Sequence, residues 1–136
     1  MIVYTDSLEG ISADALRGGF FVGWPNPPSA ETHLRLLKGS THVFLALDDV
    51  TGNVVGFVTA ISDGVTCAYI PHLEVLPPYQ ARSVGTELIG RMLETVRHLY
   101  MIDLLCDTDV QPFYVRLGMH PTAGMAVRNY ERQSGS

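Results

Sequence analysis

The chemistry-bearing spacing of this chain lies in Leu73-Glu74-Val75-Leu76-Pro77-Pro78-Tyr79-Gln80-Ala81-Arg82-Ser83-Val84-Gly85-Thr86. An apolar run enters a tight loop of small residues, and the loop opens directly into a long amphipathic segment. The first amides of a helix have no intrahelical acceptor, and the macrodipole adds partial positive charge there, so such a junction can hold a pyrophosphate. Small side chains at Ala81, Ser83 and Gly85 let a phosphate approach the backbone. An ordinary strand-to-helix connection has the same composition, and on these residues alone the two readings stand level. Just upstream, His72 and Glu74 alternate onto one face of their strand, opposite Leu73 and Val75, unless Pro71 makes a bulge that resets the parity. Either side chain can take a proton; the plainer reading pairs Glu74 with a neighbouring cation and leaves His72 half-exposed. Phe20, Phe21 and Trp24, in a segment with three prolines, could line an apolar or cation-holding pocket together with Tyr69. They could equally plug the core. His33, His42, His98 and His120 show no metal-ligand spacing and read as surface or loop residues; no metal is expected.

These residues need elements to hold them. Val84, Leu88, Ile89, Met92, Leu93, Val96 and Leu99 recur at helical spacing, with Glu87, Arg91, Glu94 and Arg97 opposite, which predicts a helix over about 83–99. Upstream, 65–76 reads as a strand interrupted at Pro71, and 101–106 as a short strand parallel to it, giving a βαβ crossover. Runs 43–47 and 54–61 flank Thr51-Gly52-Asn53 as a hairpin. Ile2-Val3-Tyr4 reads as a first strand. Ser12-Ala13-Asp14 could cap a short helix, and Ser29 a second one that stops at Gly39-Ser40. Asp107 or Asp109 caps a third short helix containing Pro112 and ended by Gly118, and a last strand or hairpin is expected over 122–130. The fold class is therefore α+β, or mixed α/β: a mostly antiparallel twisted sheet with one parallel crossover, flanked by about four helices. Residues 1–132 are expected to form one domain and 133–136 a loose tail.

Composition narrows the function. The 136 residues are 46% hydrophobic and 17% charged, with nine Lys+Arg against fourteen Asp+Glu and a formal charge of −5. That is apolar enough to build a core, and an acidic chain without a basic cluster is poorly suited to nucleic acid. Cationic amines suit it better. Two cysteines, Cys67 and Cys106, form no CxxC pair and read as buried free thiols in a reducing compartment. Residues 1–6 lack the pattern of a signal peptide, and the longest apolar runs fall far short of the ~20 residues of a membrane span. A cytoplasmic setting, with no membrane or nucleic-acid partner, is the expectation.

The loop resembles the acyl-CoA-binding motif of the GNAT superfamily of acyl-CoA-dependent N-acyltransferases, Gln/Arg-x-x-Gly-x-Gly/Ala. Gln80 fits the first position, Ser83 stands where the first glycine is usual, and Gly85 fits the last. Leu73 to Pro77 is similar to the family's fourth strand and its exit. Pro112-Phe113-Tyr114-Val115-Arg116-Leu117-Gly118-Met119 is similar to its Phe-Tyr-x-x-Leu-Gly-Phe signature. The element order matches nearly throughout. The resemblance implies a GNAT-like fold and acetyl-CoA as co-substrate, with transfer of its acetyl group to a primary amine of a small molecule or peptide. It implies that the backbone near Leu73 and Val75 holds the pantetheine arm, that the Val75 amide faces the acyl oxygen, and that Gln80, Ala81, Arg82, Ser83, Val84, Gly85 and Thr86 wrap the pyrophosphate. Asp107 stands beside the pantetheine arm where many relatives have asparagine, and is also a third base candidate beside His72 and Glu74. Tyr114 would protonate the CoA sulfur; without the flanking motif it would be a packing tyrosine. Glu74 is the base carried forward, and Phe21, Trp24 and Tyr69 the acceptor-binding residues. A positive φ at Ser83 would mean strain and weaker cofactor affinity. The alternative is a fold that holds CoA or another ligand without turnover. A second copy of the chain is a further partner to consider.

Overall fold

The computed structural model describes all residues, Met1–Ser136. Five strands form one sheet in chain order: β1 (Ile2–Thr5), β2 (His42–Asp48), β3 (Val54–Ser62), β4 (Cys67–Val75) and β5 (Met101–Asp103). Neighbours pair antiparallel except β4 and β5, which are parallel. Three α-helices accompany them: α1 (Ala30–Gly39), α2 (Val84–Val96) and α3 (Gln111–Val115). This is the expected α+β class, with the parallel β4–α2–β5 crossover in place.

Local chemistry sets the element ends. Ser29 Oγ accepts the Thr32 amide at 3.1 Å and starts α1. At the β3–β4 turn, Asp63 Oδ1 accepts the amides of Val65, Thr66 and Cys67 at 2.9, 2.9 and 3.1 Å. Those donors hold its carboxyl down at about 2.

The sheet has two working faces. On one, α2 buries Val84, Leu88, Ile89, Met92 and Val96. It lies so close at Gly56 that a Cβ there would sit 3.0 Å from Leu88 Cδ1 and 3.3 Å from Val84 Cγ1. The opposite face carries Leu45, Phe57 and Thr59 under α1 and the aromatic 20–24 segment. β4 gains one residue at Ile70–Pro71: Thr59 pairs with His72 and Ile61 with Tyr69, so two β4 residues oppose Ala60. This bulge puts Tyr69, His72 and Glu74 on the face of Phe57, and Val75 on the face of α2.

Several sequence expectations are corrected. The segment after Ser12 makes only a 3-10 turn, Ala13–Leu16. The loop before α2 is coiled as a 3-10 helix, Pro77–Arg82, and α2 ends at Val96 rather than near Leu99. No strand forms over 122–130: β5 is three residues long, and its free edge pairs with no other segment of the chain. His33 is neither surface nor loop. It lies on α1 with 1% of its surface exposed, its ring 4.4 Å from that of Phe57.

Candidate active site

The site begins where β4 and β5 part. Their pairing runs Cys67–Met101, Ala68–Ile102 and Tyr69–Asp103, then stops at the bulge. From His72 to Val75 one edge of β4 still pairs with β3, while the other has no strand against it. The Leu76 amide donates to Val55 O at 2.8 Å, which fixes the phase of that ladder. Hydrogen-bonding groups of a strand alternate between its two edges, so the N–H and C=O groups of Leu73 and Val75 point into the gap. Gln80 Nε2 donates to Val75 O at 3.0 Å and ties the 3-10 helix to this edge. The Val75 N–H remains directed at the gap.

The floor of the gap is the start of α2. Its first i→i−4 bond runs from Glu87 N to Ser83 O, so the amides of Val84, Gly85 and Thr86 precede the ladder. Ser83 adopts φ 59° and ψ 20°, is exposed, and caps no amide with its hydroxyl. This left-handed conformation is one that glycine adopts without strain and serine does not. Gly85 sits where three elements meet: a Cβ there would lie 3.7 Å from Val75 Cγ2 and 4.0 Å from Phe113 Cζ. Arg82 stacks over the Tyr79 ring at 5.2 Å, and the Tyr79 hydroxyl donates to Asp48 Oδ2 at 3.2 Å.

Phe113, near Gly85, is followed on α3 by Tyr114, half-buried and edge-on to it with ring centroids 5.0 Å apart. Tyr114 lines a cavity of about 230 Å³ between the exit of β5 at Leu104–Cys106 and residues 119–124. Burial, then the neighbouring Cys106, push its phenol above the ordinary value, so it carries its proton at neutral pH. Asp107 lies exposed before the Thr108–Val110 turn; its backbone oxygen accepts the Val110 amide, but its carboxylate caps nothing.

The residues expected to meet an acceptor lie on the face opposite α2. Glu74 meets no cation. Its carboxylate instead accepts the amides of Phe21 at 2.8 Å and Val22 at 3.3 Å. Phe21 has φ 63°, which aims two consecutive N–H groups at one anion. Burial nevertheless raises the Glu74 carboxyl, the two amides opposing it. Burial lowers His72, and lowers His33 to about 4, with His72 adding to the effect, so both imidazoles are neutral at pH 7. Phe21 is core-packed against Phe57 and His33, whereas Trp24 and Tyr69 keep open faces. Trp24 stacks obliquely on Phe21 at 4.9 Å and stands 6.2 Å from His72. Two buried polar atoms on this face, His33 Nε2 and Thr59 Oγ1, have no hydrogen-bond partner. No three His, Cys, Asp or Glu side chains converge as metal ligands.

Of the residues expected from the sequence, Leu73, Val75 and the start of α2 at Val84–Thr86 border one gap, whereas Tyr114 lines a cavity that includes none of them. Sequence reasoning missed the Glu74 clamp on the 20–24 loop and the burial of His33. The apolar positions flanking His33 on α1 (Leu34, Leu36, Leu37) were the only available hint.

Comparison with known proteins accords with this architecture. A family profile described as "Acetyltransferase (GNAT) family" matches residues 12–119. A crystal structure of a Deinococcus radiodurans R1 protein classed as an acetyltransferase superposes with a TM-score of 0.94 at 44% identity, covering 98% of this chain and 92% of that one. The N-acetyltransferase ycf52 of Pyropia yezoensis, itself uncharacterized, is 29% identical over 100 residues, 71% of this chain and 58% of that protein. AAC(6')-Iy, solved with the bisubstrate analogue CoA-S-monomethyl-acetylneamine, shares the fold at a TM-score of 0.67 and 19% identity over 95% of this chain and 97% of that one. This chain spans between 29% and 58% of the length of the curated relatives it matches. No helix is long and apolar enough to cross a membrane. On the family match across most of its length, the chain belongs to the GNAT acetyltransferase family.

Proposed function

We propose that the protein transfers an acetyl group from acetyl-CoA to a primary amine, on a small molecule or a peptide amino terminus. The observation that carries this reading is the Val75 N–H, directed into a gap with the unpaired amides of Val84, Gly85 and Thr86 at one end. The pyrophosphate would rest on those amides and on the Gln80–Arg82 turn. The pantetheine arm would lie along Leu73 and Val75 like an added strand, past Asp107.

The amine nitrogen then attacks the thioester carbonyl. The carbonyl oxygen becomes an oxyanion, and the Val75 N–H donates to it. Collapse of the tetrahedral intermediate breaks the C–S bond, and Tyr114 delivers its proton to the departing sulfur. The proton lost by the amine goes to Glu74, directly or through water. Its raised carboxyl makes it a better acceptor than an ordinary surface glutamate, and neutral His72 lies beside the same path. Trp24 and Tyr69 offer the open aromatic surface for the acceptor, and Phe21 backs Trp24. A single domain over 1–132 in a reducing cytoplasm suits the free thiols of Cys67 and Cys106.

The test is thiol release from acetyl-CoA with a panel of amines. Release that needs both the amine and Tyr114 supports transfer. Binding of acetyl-CoA without release from any amine would make the fold a CoA-holding module instead.

A further inference from the structure

Between Gly19 and Pro28 the chain forms neither helix nor strand, and Pro25, Pro27 and Pro28 contribute no amide donor. The Trp24 amide turns back on Phe21 O at 3.1 Å, inside the segment. Its backbone hydrogen bonds to the rest of the molecule are few. Phe21 and Val22 donate to Glu74 on β4, and Asn26 donates to Gln133 Oε1 at 2.9 Å. No carbonyl of the segment accepts a bond from outside it. Trp24 thus hangs between two ties, Glu74 before it and Gln133 after it. Its side chain is 37% exposed, stacked on Phe21 and 6.2 Å from His72.

Gln133 meets Asn26 because the end of the chain is itself seated. Residues 119–124 line the cavity at the exit of β5, and the chain then runs exposed as far as Arg132. Tyr130–Arg132 coil as a 3-10 turn, with Gln133 N donating to Tyr130 O at 3.1 Å and Gly135 N to Arg132 O at 2.9 Å. At Gln133 and Ser134 the chain becomes half-buried again. Gly135 lies against α1: a Cβ there would stand 2.9 Å from Thr32 Cγ2, and its φ of 79° suits glycine. Tail and loop therefore meet beside the first turn of α1.

We propose that Gln133 is a positioning residue: its carboxamide oxygen pins the Asn26 backbone and so holds Trp24 in place for the amine acceptor. This rests on the reading of Trp24 as an acceptor-binding residue. With Gln133 gone, the loop keeps only the Glu74 tie, and Trp24 swings away from His72 in part of the population. Acceptor affinity then falls with the competent fraction. One such hydrogen bond shifts an equilibrium by about two- to tenfold. The cofactor gap lies on β4 and the start of α2, which Gln133 does not touch.

Trp24 is the only tryptophan, so its fluorescence reports on this loop alone. In the whole protein, Gln133→Ala should raise the acrylamide quenching constant about twofold and speed exchange of the Asn26 amide by about two- to tenfold. KM for the amine should rise about threefold, with kcat and KM for acetyl-CoA unchanged. Gln133→Glu keeps an acceptor oxygen and should restore wild-type values. Gly135→Val, which unseats the tail from Thr32, should reproduce Gln133→Ala. Quenching and exchange need no substrate, so they decide the tie separately from acetyl transfer. Wild-type quenching in Gln133→Ala, a Gln133→Glu variant no better than Gln133→Ala, or a KM rise for acetyl-CoA in place of the amine would overturn the proposal.

Discussion

Ser83→Gly separates strain carried by the fold from strain carried by ligand binding. Ser83 occupies the left-handed region at φ 59°, its hydroxyl caps no amide, and its side chain is exposed. Left-handed geometry costs an L-residue about 1–2 kcal/mol, and glycine avoids that cost. Glycine also loosens the unfolded chain, which takes back about 0.4–1 kcal/mol. The net expectation is stabilisation by about 0.5–1 kcal/mol, or about 2–4 °C in Tm for a domain of this size. Ser83→Val should move the other way by about 1–2 kcal/mol, since a branched residue tolerates this region least. The conformation is present without ligand, so the cost belongs to folding. Acetyl-CoA affinity by calorimetry should therefore stay within about twofold in the glycine variant. This replaces the expectation that a positive φ at Ser83 weakens cofactor binding. Phe21, at φ 63°, is the instructive contrast. There glycine would relieve similar strain but remove a buried ring worth about 3–5 kcal/mol, and the protein should lose stability. A fall in Tm on Ser83→Gly, or a tenfold gain in affinity, would refute the reasoning.

Four further outcomes follow from the site. Tyr114→Phe should lower kcat at least tenfold, by about 1.4 kcal/mol or more in the barrier, while the calorimetric affinity for acetyl-CoA stays unchanged. Gly85→Val should weaken acetyl-CoA binding by about tenfold or more, because branched carbons would enter the space bounded by Val75 and Phe113 and crowd the phosphate. Glu74→Gln should reduce kcat and remove the low-pH limb of the rate profile. It should also destabilise by about 1–2 kcal/mol, since a carboxamide can accept from the Phe21 and Val22 amides only through one oxygen. His33 holds its proton only below about 4, against an unfolded value near 6.5. The unfolded chain therefore binds the extra proton first, and His33 costs stability as pH falls from 6.5 towards 4, by on the order of 3 kcal/mol once both forms are compared at the acid end. Urea titrations of His33→Leu should show a flatter pH dependence over that window.

What the sequence disclosed and what it withheld divide by the range of the interactions involved. The β2–β3 hairpin, the Ser29 cap and the apolar stripe of α2 are written in spacings of a few residues, and each was legible. So was the irregularity at Pro71, because a proline has few ways to sit in a strand. The Glu74 clamp joins residues more than fifty positions apart, and a left-handed phenylalanine gives no compositional warning of itself. The burial of His33 depends on Phe20, Phe21 and Phe57 closing around it, which no local pattern reports. Over 122–130 the strand-like composition was read correctly as composition, but a strand exists only when an edge receives it. For the gap itself, the direction of the Val75 amide came only from the Leu76–Val55 bond.

The supernumerary residue at Ile70–Pro71 makes β4 unusually intolerant of length changes. Removing one residue there would rotate everything upstream by half a turn relative to β3, carrying Tyr69 off the face it shares with His72 and Glu74 and Ala68 out of the core. The same deletion would let β5 zip further along β4, sealing the gap into which the Val75 N–H points. Side chains with open faces, Trp24 and Tyr69, can therefore be varied, whereas indels between 69 and 72 should be purged at once.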